Sequence, residues 1–119
     1  MKISELLNSD QVTISCEMFP PKKEVMLPNY KETAAIMARL KPAYLSCTYG
    51  ATGGTSDYTV EIAATIKECK IPAVAHLTCA SSTKEKVQSV IAQLKERKIE
   101  NILALRGDIP ENADFPLPD

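Results

Sequence analysis

Four segments of this chain follow one pattern, an apolar start and a polar or ionisable finish: Thr13 to Glu17, Tyr44 to Tyr49, Ala73 to Cys79, and Ile102 to Asp108. The first extends to Val12–Met18, where apolar and polar side chains alternate with the two-residue period of a strand. Helical patterns lie between the strands. Tyr30, Ala34, Met37 and Leu40 share one face of a helix over Tyr30–Leu40. Ile62, Ile66 and Cys69 do so from about Tyr58 to Lys70, and Val87, Val90, Ile91 and Leu94 do so after Ser82. Ser82-Thr83-Lys84-Glu85 fits a capping box opening that last helix. Residues 2–8 read as a short leading helix. Pro20, Pro21 and Pro42 stop the elements before them, because proline cannot donate to a ladder and disfavours helix in its predecessor.

The order β-α-β-α-β-α-β implies parallel strands joined by right-handed helical crossovers. Two α/β architectures fit, an open doubly wound sheet or part of a (β/α)₈ TIM barrel. In both, the site lies at the C-terminal ends of the strands. The 119 residues make a single domain. A full barrel takes roughly 250 residues, so about the first four β/α units are expected here.

Strand parity separates a polar face from an apolar one. Thr13, Ser15 and Glu17 oppose Ile14, Cys16 and Met18, while Ser46 and Thr48 oppose Leu45, Cys47 and Tyr49. His76 and Thr78 oppose Ala75, Leu77 and Cys79, and Ala104 and Arg106 are assigned against Leu103 and Leu105. A parallel sheet covered on both sides is apolar on both. A polar inner face favours the barrel.

Each polar residue has a functional and a structural reading. Glu17 is a general acid or base, or else a structural ion pair with Arg106 or a lysine. His76, the only histidine, is a site residue or a hydrogen-bonded strand residue. Arg106-Gly107-Asp108 is a binding turn for phosphate or a polar ring edge, or else a βα turn with Gly107 at a special φ. Gly50–Asp57 matches neither glycine-rich phosphate motif and reads as a loop over the site.

Composition narrows the classes. A net charge of −1 gives no basic face for nucleic acid. No apolar run reaches the ~18 residues of a membrane span, and the N-terminus is too short and charged for a signal peptide. The four cysteines sit in apolar segments, so reduced, buried thiols and a cytoplasmic location are expected. Parity sets Cys16 and Cys47 away from Glu17, against a thiolate metal site. Residues 109–119 form an irregular, proline-containing tail.

Four blocks then resemble, in order, the signatures of the methylenetetrahydrofolate reductase family. They are Ser15-Cys16-Glu17-Met18-Phe19-Pro20-Pro21-Lys22, Ser46-Cys47-Thr48-Tyr49-Gly50-Ala51, Ala75-His76-Leu77-Thr78-Cys79 and Ala104-Leu105-Arg106-Gly107-Asp108. The resemblance implies a flavin-dependent (β/α)₈ barrel in one-carbon metabolism and methionine biosynthesis. It would use FAD and NAD(P)H to reduce 5,10-methylenetetrahydrofolate to 5-methyltetrahydrofolate. Glu17 matches the family's proton donor, and Asp108 an aspartate beside flavin and folate. Thr48 matches a nicotinamide and substrate stacking position, and Tyr49, Ala51, His76, Arg106 and Gly107 match FAD contacts. The family's barrel continues through four further strands. The chain is therefore expected to be a fragment, or a half-barrel completed by another chain or a homo-oligomer, with little reductase activity alone. The competing readings are a non-catalytic half-barrel for assembly or partner binding, and a thiol-zinc methyl-transfer barrel.

Overall fold

The computed structural model describes residues 1–49, 56–80 and 82–107. Its elements are α1 (Ile3–Leu7), β1 (Cys16–Met18), α2 (Leu27–Ala38, entered through a 3-10 turn at Glu24–Met26), β2 (Leu45–Cys47), α3 (Ser56–Glu68), β3 (Ala73–Thr78), α4 (Lys84–Glu96) and β4 (Asn101–Leu105). The strands form one parallel sheet in the order β1-β2-β3-β4. This is an α/β fold whose winding does not reverse within the described strands, and the sheet is not closed. The Gly50–Gly54 stretch, Ala51, Asp108 and the tail lie outside the described residues.

Periodicity located the helices because each buries one stripe. Ile62 and Ile66 of α3 are fully buried, as are Leu45, Cys47 and Ala75 on the strands beneath. Val90 and Leu94 of α4 and Ala34 and Ala38 of α2 join the same core, so the helices lie on one face of the sheet. A buried Ile or Leu side chain contributes about 1.5–3 kcal/mol over an exposed one, so this layer dominates stability. Across the outside of the helices, Glu61 of α3 pairs with Lys31 of α2 at 3.2 Å and with Arg97 after α4 at 2.8 Å.

The helix ends show a device that composition concealed. Lys70 and Lys98 follow α3 and α4 with φ of 67° and 57°, in the left-handed region that usually holds glycine. The next amide reaches back five residues in each case, Ile71 N–H to Ile66 O and Ile99 N–H to Leu94 O. Ile99 is buried beneath the turn. These are Schellman closures with lysine in the glycine position.

Several expectations are corrected. α2 spans Leu27–Ala38 rather than Tyr30–Leu40, and Leu40 is left exposed beyond its end. α3 begins at Ser56. α4 is capped by Thr83, whose hydroxyl accepts from Lys86 N–H, not by Ser82. That places Lys86 where a capping box needs Glu85, so the reciprocal bond is not made. β1 starts at Cys16, and Val12 and Ile14, expected on a strand, are exposed. The cysteines are all free, but only Cys47 is buried and Cys79 is exposed.

The largest correction concerns β4. The register pairs His76 with Leu103 and Thr78 with Leu105. Paired residues of parallel strands point to the same side. Leu103 and Leu105 therefore share the face of His76, and the assignment of Ala104 and Arg106 to that face is reversed.

Candidate active site

The face of the sheet away from the helices forms one wall of a cavity of about 650 Å³. Its lining includes Glu17, Ser46, His76, Tyr44 and Leu103, with Lys2, Ser4 and Leu7 of the α1 region opposite. Asn101 holds α1 in place. Its Oδ1 accepts from Ile3 N–H at 2.9 Å, while its Nδ2 donates to Met1 O at 2.9 Å and Ala73 O at 3.3 Å. Asn101 opens β4, so α1 sits at the N-terminal end of the strands and forms a floor. Sequence reading missed Asn101, an ordinary polar residue at a strand start whose partners lie far away in sequence.

Glu17, Ser46 and Val74 occupy one rung of the sheet, and His76 lies two residues further along β3 on the same face. Their meeting follows from register. The Ser46 hydroxyl donates to Glu17 Oε1 at 3.1 Å. His76 Nε2 lies 3.2 Å from the same oxygen. Both contacts fall on Oε1, and among the described residues nothing bonds to Oε2. Ser46 and His76 are buried, whereas the Glu17 side chain is 54% exposed. The partner anticipated for Glu17 as an ion pair was Arg106 or a lysine; the ionisable side chain within 4 Å is instead His76. The burial anticipated for Glu17 is not provided by the described residues.

Behind this trio lies Cys47. Burial, with the Glu17 charge adding to it, pushes its thiol up to about 12. Its Sγ makes a long contact with Thr48 O at 3.7 Å. A thiol held neutral in this way is a core residue and a poor metal ligand. Among the described residues, no three histidine, cysteine, aspartate or glutamate side chains gather as a metal group.

The other expected site residues cluster less tightly. Thr48 is half-buried one residue past β2, its amide donating to Met18 O at 3.0 Å. Its carbonyl accepts from the Thr59 hydroxyl at 2.9 Å, which ties the strand end to α3. Tyr49 packs against the helix-side core. Arg106 is exposed beyond β4, with its Nε donating to Gly107 O at 3.2 Å. Gly107 has φ +83°, and a Cβ there would come within 2.8 Å of Thr78 Cβ. The special-φ reading of that turn holds: the position requires glycine both for its dihedral and for the approach to β3.

These features define a class: a parallel α/β protein with helices on one face and an acid-bearing polar trough on the other. Residues 2–118 match the family model described as methylenetetrahydrofolate reductase, and the chain belongs to that family. Among curated relatives, the probable methylenetetrahydrofolate reductase (NADH) of Oryza sativa subsp. japonica is 37% identical over 114 residues. The 5,10-methylenetetrahydrofolate reductase of Pectobacterium carotovorum subsp. carotovorum is 36% identical over 107 residues. The matches cover 95% and 89% of this chain but span only 19% of the plant protein's length and 36% of the bacterial one's. Among solved structures, a mandelate racemase/muconate lactonizing protein from Paracoccus denitrificans PD1222 superposes with a TM-score of 0.53 at 12% identity, covering 85% of this chain and 30% of that one. At that identity the likeness concerns the fold alone. No helix among the described residues is long and apolar enough to cross a membrane.

Proposed function

We propose that this chain supplies the first four β/α units of a (β/α)₈ barrel that reduces 5,10-methylenetetrahydrofolate with FAD and NAD(P)H. The observation that carries the reading is the carboxyl of Glu17, held at Oε1 and free at Oε2, on the polar face of a chain of this family. Unreversed strand order and helices on one side only support the barrel. The two open strand edges would be closed by further strands from elsewhere, in one chain or an assembly.

The residues present fit a flavin in part. Thr48, His76 and Gly107 all lie toward the C-terminal ends of adjacent strands. Among the described residues nothing bonds to the Thr48 hydroxyl. His76, Arg106 and Gly107 would contribute to holding the flavin together with Tyr49 and Ala51, Asp108 would lie beside it, and Thr48 would lie where nicotinamide and substrate stack. The flavin supplies hydride transfer when bound. Glu17 acts on the folate: it gives the Oε2 proton to the ring nitrogen that leaves as the one-carbon bridge opens. Asp108, as a carboxylate, would favour the cation that opening produces. A cytoplasmic setting is part of the same reading.

Flavin titration followed by folate turnover tests this. The chain by itself is expected to show little or no turnover, and the chain completed with the remaining strands is expected to bind FAD and reduce the folate. A completed assembly that binds no flavin would overturn the proposal.

A further inference from the structure

We propose that Ser46 is a positioning residue for Glu17, acting with His76 to fix which carboxyl oxygen faces the trough. The inference rests on the proton-donor reading of Glu17 and adds to it Ser46, a residue of the second family block to which the resemblance gave no role.

Three observations carry it. Ser46 is 6% exposed, one of the few buried polar side chains among the described residues. Its strand neighbours Leu45 and Cys47 are completely buried, so the backbone that carries its hydroxyl is locked by the core. Its ladder partner on β1 is Glu17 itself, so the 3.1 Å bond joins residues directly opposite each other and needs no loop to hold it.

The consequence is an asymmetric carboxyl. Glu17 is a half-exposed side chain with several free torsions, and a freely rotating carboxyl would spread its proton over many orientations. Donation from Ser46 to Oε1, with His76 Nε2 lying 3.2 Å from the same oxygen, selects one orientation. Oε1 is occupied as an acceptor, and Oε2 is left to carry the proton toward the cavity.

The test uses isotope-labelled chain. Side-chain couplings of Glu17 are expected to show a single χ1 rotamer in the native chain and averaging in Ser46→Ala, with the single rotamer restored in Ser46→Thr. In the flavin-loaded assembly, Ser46→Ala is expected to lower kcat for folate reduction ten- to a hundredfold. KM and the NAD(P)H-to-flavin step should stay unchanged, and Ser46→Thr should recover most of the rate. A serine that merely satisfies its own hydroxyl would leave the Glu17 rotamer and the folate kcat unmoved, and that result overturns the proposal. The proton-donor reading fails separately: folate turnover that survives Glu17→Gln removes it, whatever Ser46 does.

Discussion

On the helix-covered face of the sheet, Leu45, Cys47 and Ala75 have no exposed surface at all; on the opposite face Glu17, adjacent along the strand to core-facing neighbours, keeps 54% of its side chain in solvent. The first face is held by apolar area and tolerates no change in volume. The second carries two contacts on one carboxyl oxygen, from Ser46 and His76, and the role proposed for them does not depend on how much surface they bury. Register is what allows one sheet to carry both, because a slip of one residue would exchange the faces. Substitutions on the first face should therefore move stability, and substitutions on the second should move activity.

The largest effect should come from the core. Ile66→Ala is expected to cost about 2–5 kcal/mol, measured by urea unfolding, and in a chain this small that can abolish folding. Glu17→Gln should change stability by no more than about 0.5 kcal/mol in the same measurement. Equal losses from the two would break the comparison.

Gly107→Ala comes next, at about 1–3 kcal/mol, because it combines a positive φ with a Cβ pressed against Thr78. Unchanged stability would mean that the β4 turn is not as described.

A smaller effect is expected at Glu61, whose carboxyl lies below its usual range, first through its hydrogen bond from Arg97 and then through Lys31, against an opposing desolvation. A depressed acid contributes stability above its unfolded value, and that contribution is lost as pH falls through the folded one. Glu61→Gln should therefore lower stability at neutral pH by no more than about 1 kcal/mol, and the gap should close in acid, below 4.5. A gap that widened in acid would contradict the sign.

The smallest effect has the opposite direction. Lys98→Gly should stabilise the chain by up to about 1 kcal/mol by relieving the left-handed backbone at φ 57°. A loss would show that the lysine side chain, not its dihedral, matters there.

What could be read in advance follows the same division. The α3 and α4 stripes were legible because each apolar residue recurs on a single helical face. Glu17, Ser46 and His76 were placed together by parity because polar residues mark one side of β1, β2 and β3. β4 carried no such marker: Ile102, Leu103, Ala104 and Leu105 are apolar on both sides, so its phase was decided by pairing with β3. The cap of α4 slipped by one because Ser82 and Thr83 both offer a hydroxyl. The Glu17–His76 contact depends on β3 reaching two residues past the Glu17 rung, a geometric fact that spacing along the chain does not encode. The lysines that close α3 and α4 were hidden because a left-handed closure is usually marked by glycine, and lysine carries no such mark.

In the proposed role Glu17 gives a proton to the folate and does nothing essential for the flavin. In the assembled, flavin-loaded protein, Glu17→Gln should retain flavin binding and flavin reduction by NAD(P)H while folate reduction disappears. Folate reduction at the native rate in that variant would contradict the account.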